Sequence, residues 1–201
     1  VEDELADSLC EFINSRRHNF RLGGSTSRGL GKVEIKAKKP VDYKSNVEDK
    51  VKYFTNKLKQ RLDKWKIFGN PIKEIPKNKT YFTLDLQSNV ILTEKWQSTT
   101  VISSEMLKQF AGIKDSSLEL EAAYSSYDYR SGWNSAWGLM KDVELVTNKG
   151  AVYLFSTTQP DSWYEKLAEL ELTGVGEKTS EGYGQLTICD DFHLIFREDA
   201  K

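Results

Sequence analysis

The sequence is poor in cysteine and proline and has no long apolar run. Its two cysteines, Cys10 and Cys189, lie far apart and outside any metal-ligand spacing. Four Pro among 201 residues and a hydrophobic content of 38% exclude disordered and collagen-like chains. No segment approaches the roughly 18 apolar residues that a membrane-spanning helix needs, and no signal peptide opens the sequence. We therefore expect a folded cytoplasmic protein, in a reducing compartment that disfavours a disulfide.

Charge is distributed unevenly along the chain. Residues 1–80 contain 19 Lys and Arg against 11 Asp and Glu, a net charge of +8, whereas residues 81–201 contain 10 against 19, a net charge of -9. Because attraction to a polyanion acts locally, this division predicts a part that faces nucleic acid, joined to an acidic part that contacts something else. The alternative is a lysine-rich insertion that is simply solvated.

Three segments have the apolar periodicity of amphipathic helices. The first covers residues 2–15 and is followed by two arginines and a histidine. The second, residues 47–66, carries lysines on its other faces and belongs to a basic segment, 38–80, that we interpret as an insertion. The third covers residues 162–172 and begins with a Ser-x-x-Glu capping box at Ser162.

Alternation of apolar and polar residues predicts the strands. Single strands are expected at 32–36, 118–124 and 185–189, and hairpins over 81–96 and 143–155. Turn residues at the middle of each hairpin support these two assignments. The chain is therefore predicted to be α+β.

A glycine-rich pattern occurs twice, at a constant offset of about 153 residues. In both copies a helix comes before the pattern G-x5-G-[LY]-G-x-[VL]-x-I and a strand ends it. The glycines that correspond are Gly23, Gly29 and Gly31 in the first copy and Gly176, Gly182 and Gly184 in the second. A duplicated unit of helix, loop and strand predicts two similar domains, because each copy needs its own sheet to bury an apolar stripe.

Loops of this composition are suited to binding phosphate. Glycines allow the backbone to approach a partner closely, and the freed N–H groups and hydroxyls point at an anion. Cationic residues surround the first loop, whereas in the second loop Glu181 takes the place of Arg28 and only Lys178 remains close. We therefore predict that the first loop binds a nucleic-acid backbone. The alternative is that the glycines only serve a tight crossing from helix to strand.

The predicted binding residues form two sets. Those expected to contact RNA are Arg16, Arg17, His18, Arg21, Gly23, Gly24, Ser25, Thr26, Ser27, Arg28, Gly29, Gly31 and Lys32. Those of the second loop are Gly176, Lys178, Thr179, Ser180, Gly182, Tyr183 and Gly184. A Walker loop is excluded because Val33 follows Lys32, and a dinucleotide fingerprint is excluded because the strand follows its glycines rather than preceding them.

Four segments carry a family resemblance, in this order along the chain: RLGGSTSRGLGKVEI (21–35), SGWNSAWGL (131–139), KGAVYLF (149–155) and GVGEKTSEGYGQLTICDDFH (174–193). They resemble the RAMP superfamily of CRISPR-associated proteins, and more specifically the Csx-ten subunits, of the Cas-five-like group, in type III-D effector complexes. The last segment is the most specific, whereas the first is typical of the superfamily in general. The resemblance implies ferredoxin-like βαββαβ units, each with a glycine-rich loop near its end.

The resemblance also implies a domain organisation. The chain would comprise the end of a first ferredoxin-like unit (1–37), the basic helical insertion (38–80) and a second unit (81–201). The first unit would be incomplete, since a whole unit has strands and a helix before its second helix. We therefore expect a fragment, or a chain whose first sheet is supplied by a missing N-terminal portion.

The function implied by the resemblance is binding of guide RNA (crRNA) in antiviral defence. Such subunits are non-catalytic, hold the repeat-derived 5′ end of the guide, and contact the large polymerase/nuclease subunit and the backbone subunits in a hetero-oligomer. On this view the loop 23–32 holds guide RNA, and the loop 176–184 serves RNA contact or subunit packing. Neither a cofactor, a metal nor a membrane is implied.

Histidines and aromatic residues leave alternatives open. Some RAMP relatives cut guide precursors with a histidine as general acid/base, so a metal-independent endoribonuclease using His18, rather than His193, is a second hypothesis. A protein-only scaffold is a third. Trp133 and Trp137 are expected to pack in the core rather than to stack on RNA bases. The tyrosines at 124–129 are either a base-stacking surface or a protein interface.

Overall fold

The chain divides into two compact units between Tyr43 and Lys44. The structure is a computed structural model that describes residues 3–23, 26–38, 44–65, 69, 76, 78–134 and 136–195. The division differs from the predicted boundaries after residues 37 and 80, because the basic helix falls within the second unit.

The first unit contains one helix and a short two-stranded ladder. Helix α1 spans Asp3–Ser15, and strands β1 (Phe20–Arg21) and β2 (Lys32–Val33) pair antiparallel. The predicted helix is confirmed, but the predicted strand 32–36 is shorter. Beyond the ladder the Ile35 N–H donates a hydrogen bond to the Arg17 carbonyl at 3.0 Å, so this segment is attached to the chain after α1 rather than to β1.

The apolar stripe of α1 is not covered by its own unit. Leu5, Leu9 and Phe12 are all exposed. The polar side of the same helix is attached instead, because the Asn14 side chain and the Ala37 backbone exchange hydrogen bonds of 3.1 and 3.0 Å. The stripe that predicts this helix is therefore an open apolar surface.

The second unit contains the remaining elements. Its helices are α2 (Lys44–Trp65), α3 (Ser104–Ala111) and α4 (Asp161–Thr173). Its strands are β3 (Thr80–Leu86), β4 (Leu92–Glu94), β5 (Gln97–Thr99), β6 (Glu119–Tyr124), β7 (Tyr127–Arg130), β8 (Trp133–Asn134), β9 (Leu139–Met140), β10 (Glu144–Thr147), β11 (Val152–Thr157) and β12 (Leu186–Ile188). None of the described helices has both the length and the apolarity that crossing a membrane requires.

Four strands form the main sheet, in the order β12-β3-β11-β6. Every neighbouring pair is antiparallel. Along the chain, α3 lies between β3 and β6, β11 follows β6, and α4 lies between β11 and β12. The predicted α+β class is confirmed.

Two predicted hairpins are wrong, although their strands exist. β3 pairs with β11 and β12, whereas β4 pairs with β5; β10 pairs with β7, whereas β11 pairs with β3 and β6. All six residues 81–86 are buried, so both faces of β3 are covered, and both of its edges are paired. Local alternation predicts a strand but carries no information about which distant strand fills that place.

Helix α2 is part of the core of the second unit. Val47, Val51 and Phe54 of its apolar stripe are buried. The Thr55 hydroxyl donates to the Tyr81 carbonyl at 2.8 Å and accepts from the Tyr81 N–H at 3.0 Å. These contacts attach α2 directly to β3, and α2 also packs against α4.

Helix α4 is confirmed, but its predicted cap is wrong. The residue before the helix is Pro160, which offers no side-chain cap. The Ser162 hydroxyl donates instead to the Gln159 carbonyl at 2.9 Å. Because this serine lies one residue inside the helix, its hydroxyl satisfies a preceding carbonyl rather than a helix N–H. Buried Trp163 and Leu167 nonetheless anchor α4 in the core.

Candidate nucleic-acid interface

The two glycine-rich loops share a turn in their described residues. The first contains a 3-10 turn at Thr26–Arg28, and the Gly29 N–H donates to the first carbonyl of that turn at 3.1 Å. The second contains a 3-10 turn at Thr179–Glu181, and the Gly182 N–H donates to the first carbonyl of that turn at 3.0 Å. The residues that form this hydrogen bond in the two loops are therefore related by the same offset of 153 residues.

In each loop, one backbone hydrogen bond joins the two ends and closes the loop. The Leu22 N–H donates to the Gly31 carbonyl, and the Val175 N–H donates to the Gly184 carbonyl, both at 2.9 Å. A Cβ atom would lie 2.0 Å from the Leu22 carbonyl oxygen at Gly31 and 1.8 Å from the Val175 carbonyl oxygen at Gly184. Both glycines also have positive φ, +78° and +71°. These two glycines are therefore required by the loop itself, as the tight-crossing alternative proposed.

The remaining glycines of the pattern differ in their constraint. Gly176 is crowded, since a Cβ atom there would lie 2.4 Å from the Ile91 carbonyl oxygen. Gly23, Gly29 and Gly182 have positive φ but nothing within 4 Å of the place of a Cβ. At these three positions the backbone conformation, rather than crowding, favours glycine. Space beside these backbones is open to a ligand.

The cations predicted for the first loop are all on the surface. The exposed residues are Arg16, Arg17, His18, Arg21, Arg28 and Lys32. The Arg21 Nη1 donates to the Thr26 carbonyl at 3.4 Å, and the Arg16 guanidinium lies 4.8 Å from the centre of the Phe12 ring. Gly24 and Ser25 lie outside the described residues, and only the backbone of Ser27 is described.

His18 is engaged with its neighbour in sequence. The Arg17 Nε–H donates to His18 Nε2 at 2.9 Å, and the same Nε lies 3.5 Å from a carboxylate oxygen of Glu34. The lone pair of His18 Nε2 is thus engaged by the neighbouring guanidinium.

His193 has a partner that the sequence did not indicate. Its Nε2 lies 2.5 Å from Asp85 Oδ1, and both side chains are largely buried. Asp85 also accepts hydrogen bonds from the Thr83 hydroxyl at 2.7 Å and the Asp190 N–H at 3.2 Å. The pair thus attaches the turn at Asp191–Leu194 to β3.

The second loop carries a neutralised cation. Lys178 forms an ion pair with Glu144 of β10, and this hydrogen bond raises the pKa of Lys178. The Thr93 hydroxyl donates to a carboxylate oxygen of Glu177 at 2.6 Å, and Glu181 is exposed. The predicted asymmetry in charge between the two loops is therefore present on their surfaces.

A groove of about 410 Å³ lies beside the second loop. Its lining residues are Gln87, Ser88, Asn89, Arg130, Lys149, Glu181, Gly182 and Tyr183. They come from the bend after β3, the end of β7, the turn before β11 and the loop itself. The sequence did not indicate this site, because only strand pairing brings these four segments together. Among the described residues, no group of His, Cys, Asp or Glu side chains is arranged to hold a metal ion.

The two tryptophans expected in the core lie on the surface. Trp133 and Trp137 are exposed, as are Tyr124, Tyr127 and Tyr129. The expectation of core packing for the tryptophans is wrong, because β8 and β9 form a separate two-stranded ladder outside the main sheet. The second unit thus combines a polar groove with an exposed aromatic surface.

In the comparisons with known proteins, no protein-family model matches the chain and no curated protein is significantly similar to it.

Proposed function

We propose that the chain is a non-catalytic guide-RNA (crRNA) binding subunit of a type III CRISPR effector complex. The observation that carries this proposal is the duplicated loop, which has the same turn and the same closing hydrogen bond in both units. Around the first copy lie exposed arginines and Lys32. Exposed guanidinium groups beside open glycine backbone are the combination that binds phosphodiesters.

The topology of the second unit supports the same proposal. The order β3-α3-β6-β11-α4-β12, with sheet order β12-β3-β11-β6, is the βαββαβ arrangement that the family resemblance implies. We infer that this unit is a ferredoxin-like RAMP domain. Its glycine-rich loop lies between α4 and β12, which is the place expected from the resemblance.

Binding rather than turnover is the chemistry of the proposed site. Backbone N–H groups and guanidinium groups of the first loop neutralise phosphates near the repeat-derived 5′ end of the guide, and counterions released from the RNA drive association. The acidic half of the chain then contacts neighbouring protein subunits, including the large subunit and the backbone subunits.

The test measures RNA retention on filters across a salt series, with guide RNA and a scrambled control. The variant Arg16→Ala/Arg17→Ala/Arg28→Ala removes three cations at the first loop. The variant Lys108→Ala/Lys114→Ala/Lys166→Ala removes three cations from α3, the segment after it and α4. If the three arginines contact phosphates, the slope of log affinity against log salt becomes shallower by about two in the first variant only.

The same assay separates the competing hypotheses. Equal affinity of both triple variants and the wild type would contradict phosphate binding by the first loop. Absence of any salt-dependent affinity would leave a protein-only scaffold. Cleavage of repeat RNA in EDTA that is abolished by His18→Ala would establish the endoribonuclease instead.

A further inference from the structure

Five exposed aromatic side chains follow one another in the second unit. Tyr124, Tyr127, Tyr129, Trp133 and Trp137, here called the aromatic strip, each have between 59% and 79% of their surface exposed. They occupy the end of β6, all of β7 and the hairpin of β8 and β9. A continuous run of this kind contrasts with the core, where Trp163 and Tyr153 are fully buried.

Most of the surface of the aromatic strip is left unburied in the isolated chain. Large aromatic side chains gain free energy by burial, and each presents about 150–250 Å² of surface. Exposed apolar patches larger than several hundred Å² on soluble proteins mark places of contact with a partner. All five side chains of the aromatic strip are more than half exposed, so we expect the strip to be covered when the protein functions.

The geometry of β7 suits stacking on planar groups. Tyr127 and Tyr129 lie two residues apart and therefore on the same face of the strand. Their ring centres are 6.2 Å apart and the ring planes are nearly perpendicular, at 86°. In this arrangement the ring that presents its edge keeps its own two faces uncovered by the other ring, and a base can stack on either.

Cationic groups lie next to the aromatic strip. Arg130, the last residue of β7, lines the groove of about 410 Å³ together with Lys149. It also lines a smaller groove of about 120 Å³ that includes Lys141. A strand of aromatic rings that leads into a groove with cations offers stacking to bases and ion pairing to phosphates. A protein-binding surface would instead have few charges at its centre.

The acidic groups near the aromatic strip limit the electrostatic part of binding. Asp142, Glu144 and Glu181 line the smaller groove with Arg130, and Asp128 lies 3.9 Å from that arginine. Attraction to phosphate is therefore partly cancelled. Contact at the aromatic strip should depend on the bases and change little with salt, unlike contact at the first loop.

We propose that the aromatic strip is a base-stacking surface for single-stranded RNA, with Arg130 and Lys149 holding a phosphate in the adjoining groove. This inference rests on the proposed RNA-binding function and adds to it a second contact, in the other unit, of a different physical kind. The first loop reads the charge of the RNA backbone, and the aromatic strip reads the presence of bases without regard to their sequence.

The experiment compares two fluorescently labelled RNAs of equal length by anisotropy, an oligouridylate and an abasic oligomer with the same phosphates. Two variants remove the stacking groups, Tyr127→Ala/Tyr129→Ala and Trp133→Ala/Trp137→Ala. The matched control is Trp96→Ala, because Trp96 is 98% exposed in the same unit but lies in the turn between β4 and β5. Thermal unfolding of each variant confirms that the fold is retained.

We expect each double variant to bind the oligouridylate about tenfold or more weakly than the wild type. The abasic oligomer should bind equally to all proteins, the salt slope should not change, and Trp96→Ala should behave as the wild type. Unchanged affinity of both folded double variants for the oligouridylate would overturn the inference and assign the aromatic strip to a protein partner.

The two proposals fail in different ways. If Arg16→Ala/Arg17→Ala/Arg28→Ala leaves the salt slope unchanged while the double variants lose affinity for bases, the assignment of the first loop fails and the aromatic strip stands. If only the triple variant loses affinity, the aromatic strip fails and the first loop stands.

Discussion

Asp115 is a buried carboxylate of the second unit that accepts four hydrogen bonds. It accepts from the Ser117 N–H at 2.7 Å and hydroxyl at 2.6 Å, from the Thr157 hydroxyl at 2.5 Å and from the Trp163 indole at 2.8 Å. Burial alone would raise the pKa of Asp115, but the hydrogen bonds from Ser117, Thr157 and Trp163 outweigh it and lower the pKa from 3.8 to about 2. One side chain thereby connects β11, α4 and the segment before β6.

The ionised form of Asp115 should therefore stabilise the fold. Because its pKa is lower in the folded state, this contribution is complete above about pH 4 and is lost as the pH falls towards 2, and it amounts to about 2 kcal/mol. We expect Asp115→Asn to lower the free energy of unfolding at pH 7 by about 2–3 kcal/mol. Urea denaturation at several pH values measures both effects.

The control for this prediction is Asp142→Asn, which changes an exposed aspartate in the same unit. It should leave stability within about 0.5 kcal/mol of the wild type. Above pH 2 the stability of Asp115→Asn should vary less with pH than that of the wild type. Parallel pH curves for the two proteins would show that Asp115 does not have the lowered pKa.

Glycines of the second loop should differ in their tolerance of alanine. At Gly184 a Cβ would lie 1.8 Å from the Val175 carbonyl oxygen, whereas at Gly182 nothing lies within 4 Å. Both have positive φ, which costs alanine about 1 kcal/mol. We expect Gly184→Ala to destabilise the second unit by clearly more than Gly182→Ala, measured as the shift in urea midpoint. Equal shifts would mean that conformation alone decides both positions.

At the scale of elements, helices were predicted better than strand pairings. The stripes of α1, α2 and α4 are local and repeat over several turns, so the sequence contains the whole signal. To predict a hairpin, one must also know which strands pair. β3 and β11 pair with strands that are distant in the sequence. The turn at 148–150 was correctly placed, yet the strands on its two sides belong to different sheets.

Helix α3 was missed although its ends are marked in the sequence. The Ser103 hydroxyl accepts from the Met106 N–H at the N-cap, and Gly112 ends the helix in the left-handed conformation with φ of 65°. A serine before Glu105 and a glycine after Ala111 are ordinary start and stop signals. With only eight residues, α3 is too short for periodicity to indicate it alone.

The integration of α2 into the core leads to a stability prediction. Phe54 is 5% exposed, and the adjacent Tyr53 is 53% exposed. We expect Phe54→Ala to lower the free energy of unfolding by about 3–5 kcal/mol, because it leaves a cavity in the buried apolar cluster. Tyr53→Ala, one residue away on the outer face, should cost less than about 1 kcal/mol. Similar small effects of both variants in chemical denaturation would make α2 a dispensable insertion.

At the scale of the whole molecule, a site within one segment of the sequence could be predicted, whereas a site formed by several distant segments could not. The first loop lies within a single segment, so its glycines and arginines could be read directly from the sequence. The groove beside the second loop takes residues from positions 87, 130, 149 and 183, which only the sheet brings together. The exposure of Trp133 and Trp137 depended likewise on which strands pair, since β8 and β9 lie outside the main sheet.

The second unit has its own core and should fold without the first. All described members of the buried apolar cluster lie between Val47 and Cys189, and a domain with a core of its own folds independently. We expect a chain of residues 44–201 to unfold cooperatively, with a thermal midpoint within about 3 °C of the transition that the full-length chain shows for this unit. Loss of cooperative unfolding would show that residues 1–43 complete the core.

The two loops have the same turn and the same closing hydrogen bond, so their side chains can be compared position by position. The outward position after the two hydroxyl residues is arginine in one copy and glutamate in the other, and both are exposed. The sign of the charge has thus changed while the glycines and closing hydrogen bonds have not. A loop of this kind can therefore keep its turn and its closing hydrogen bond while the charge that it presents changes sign.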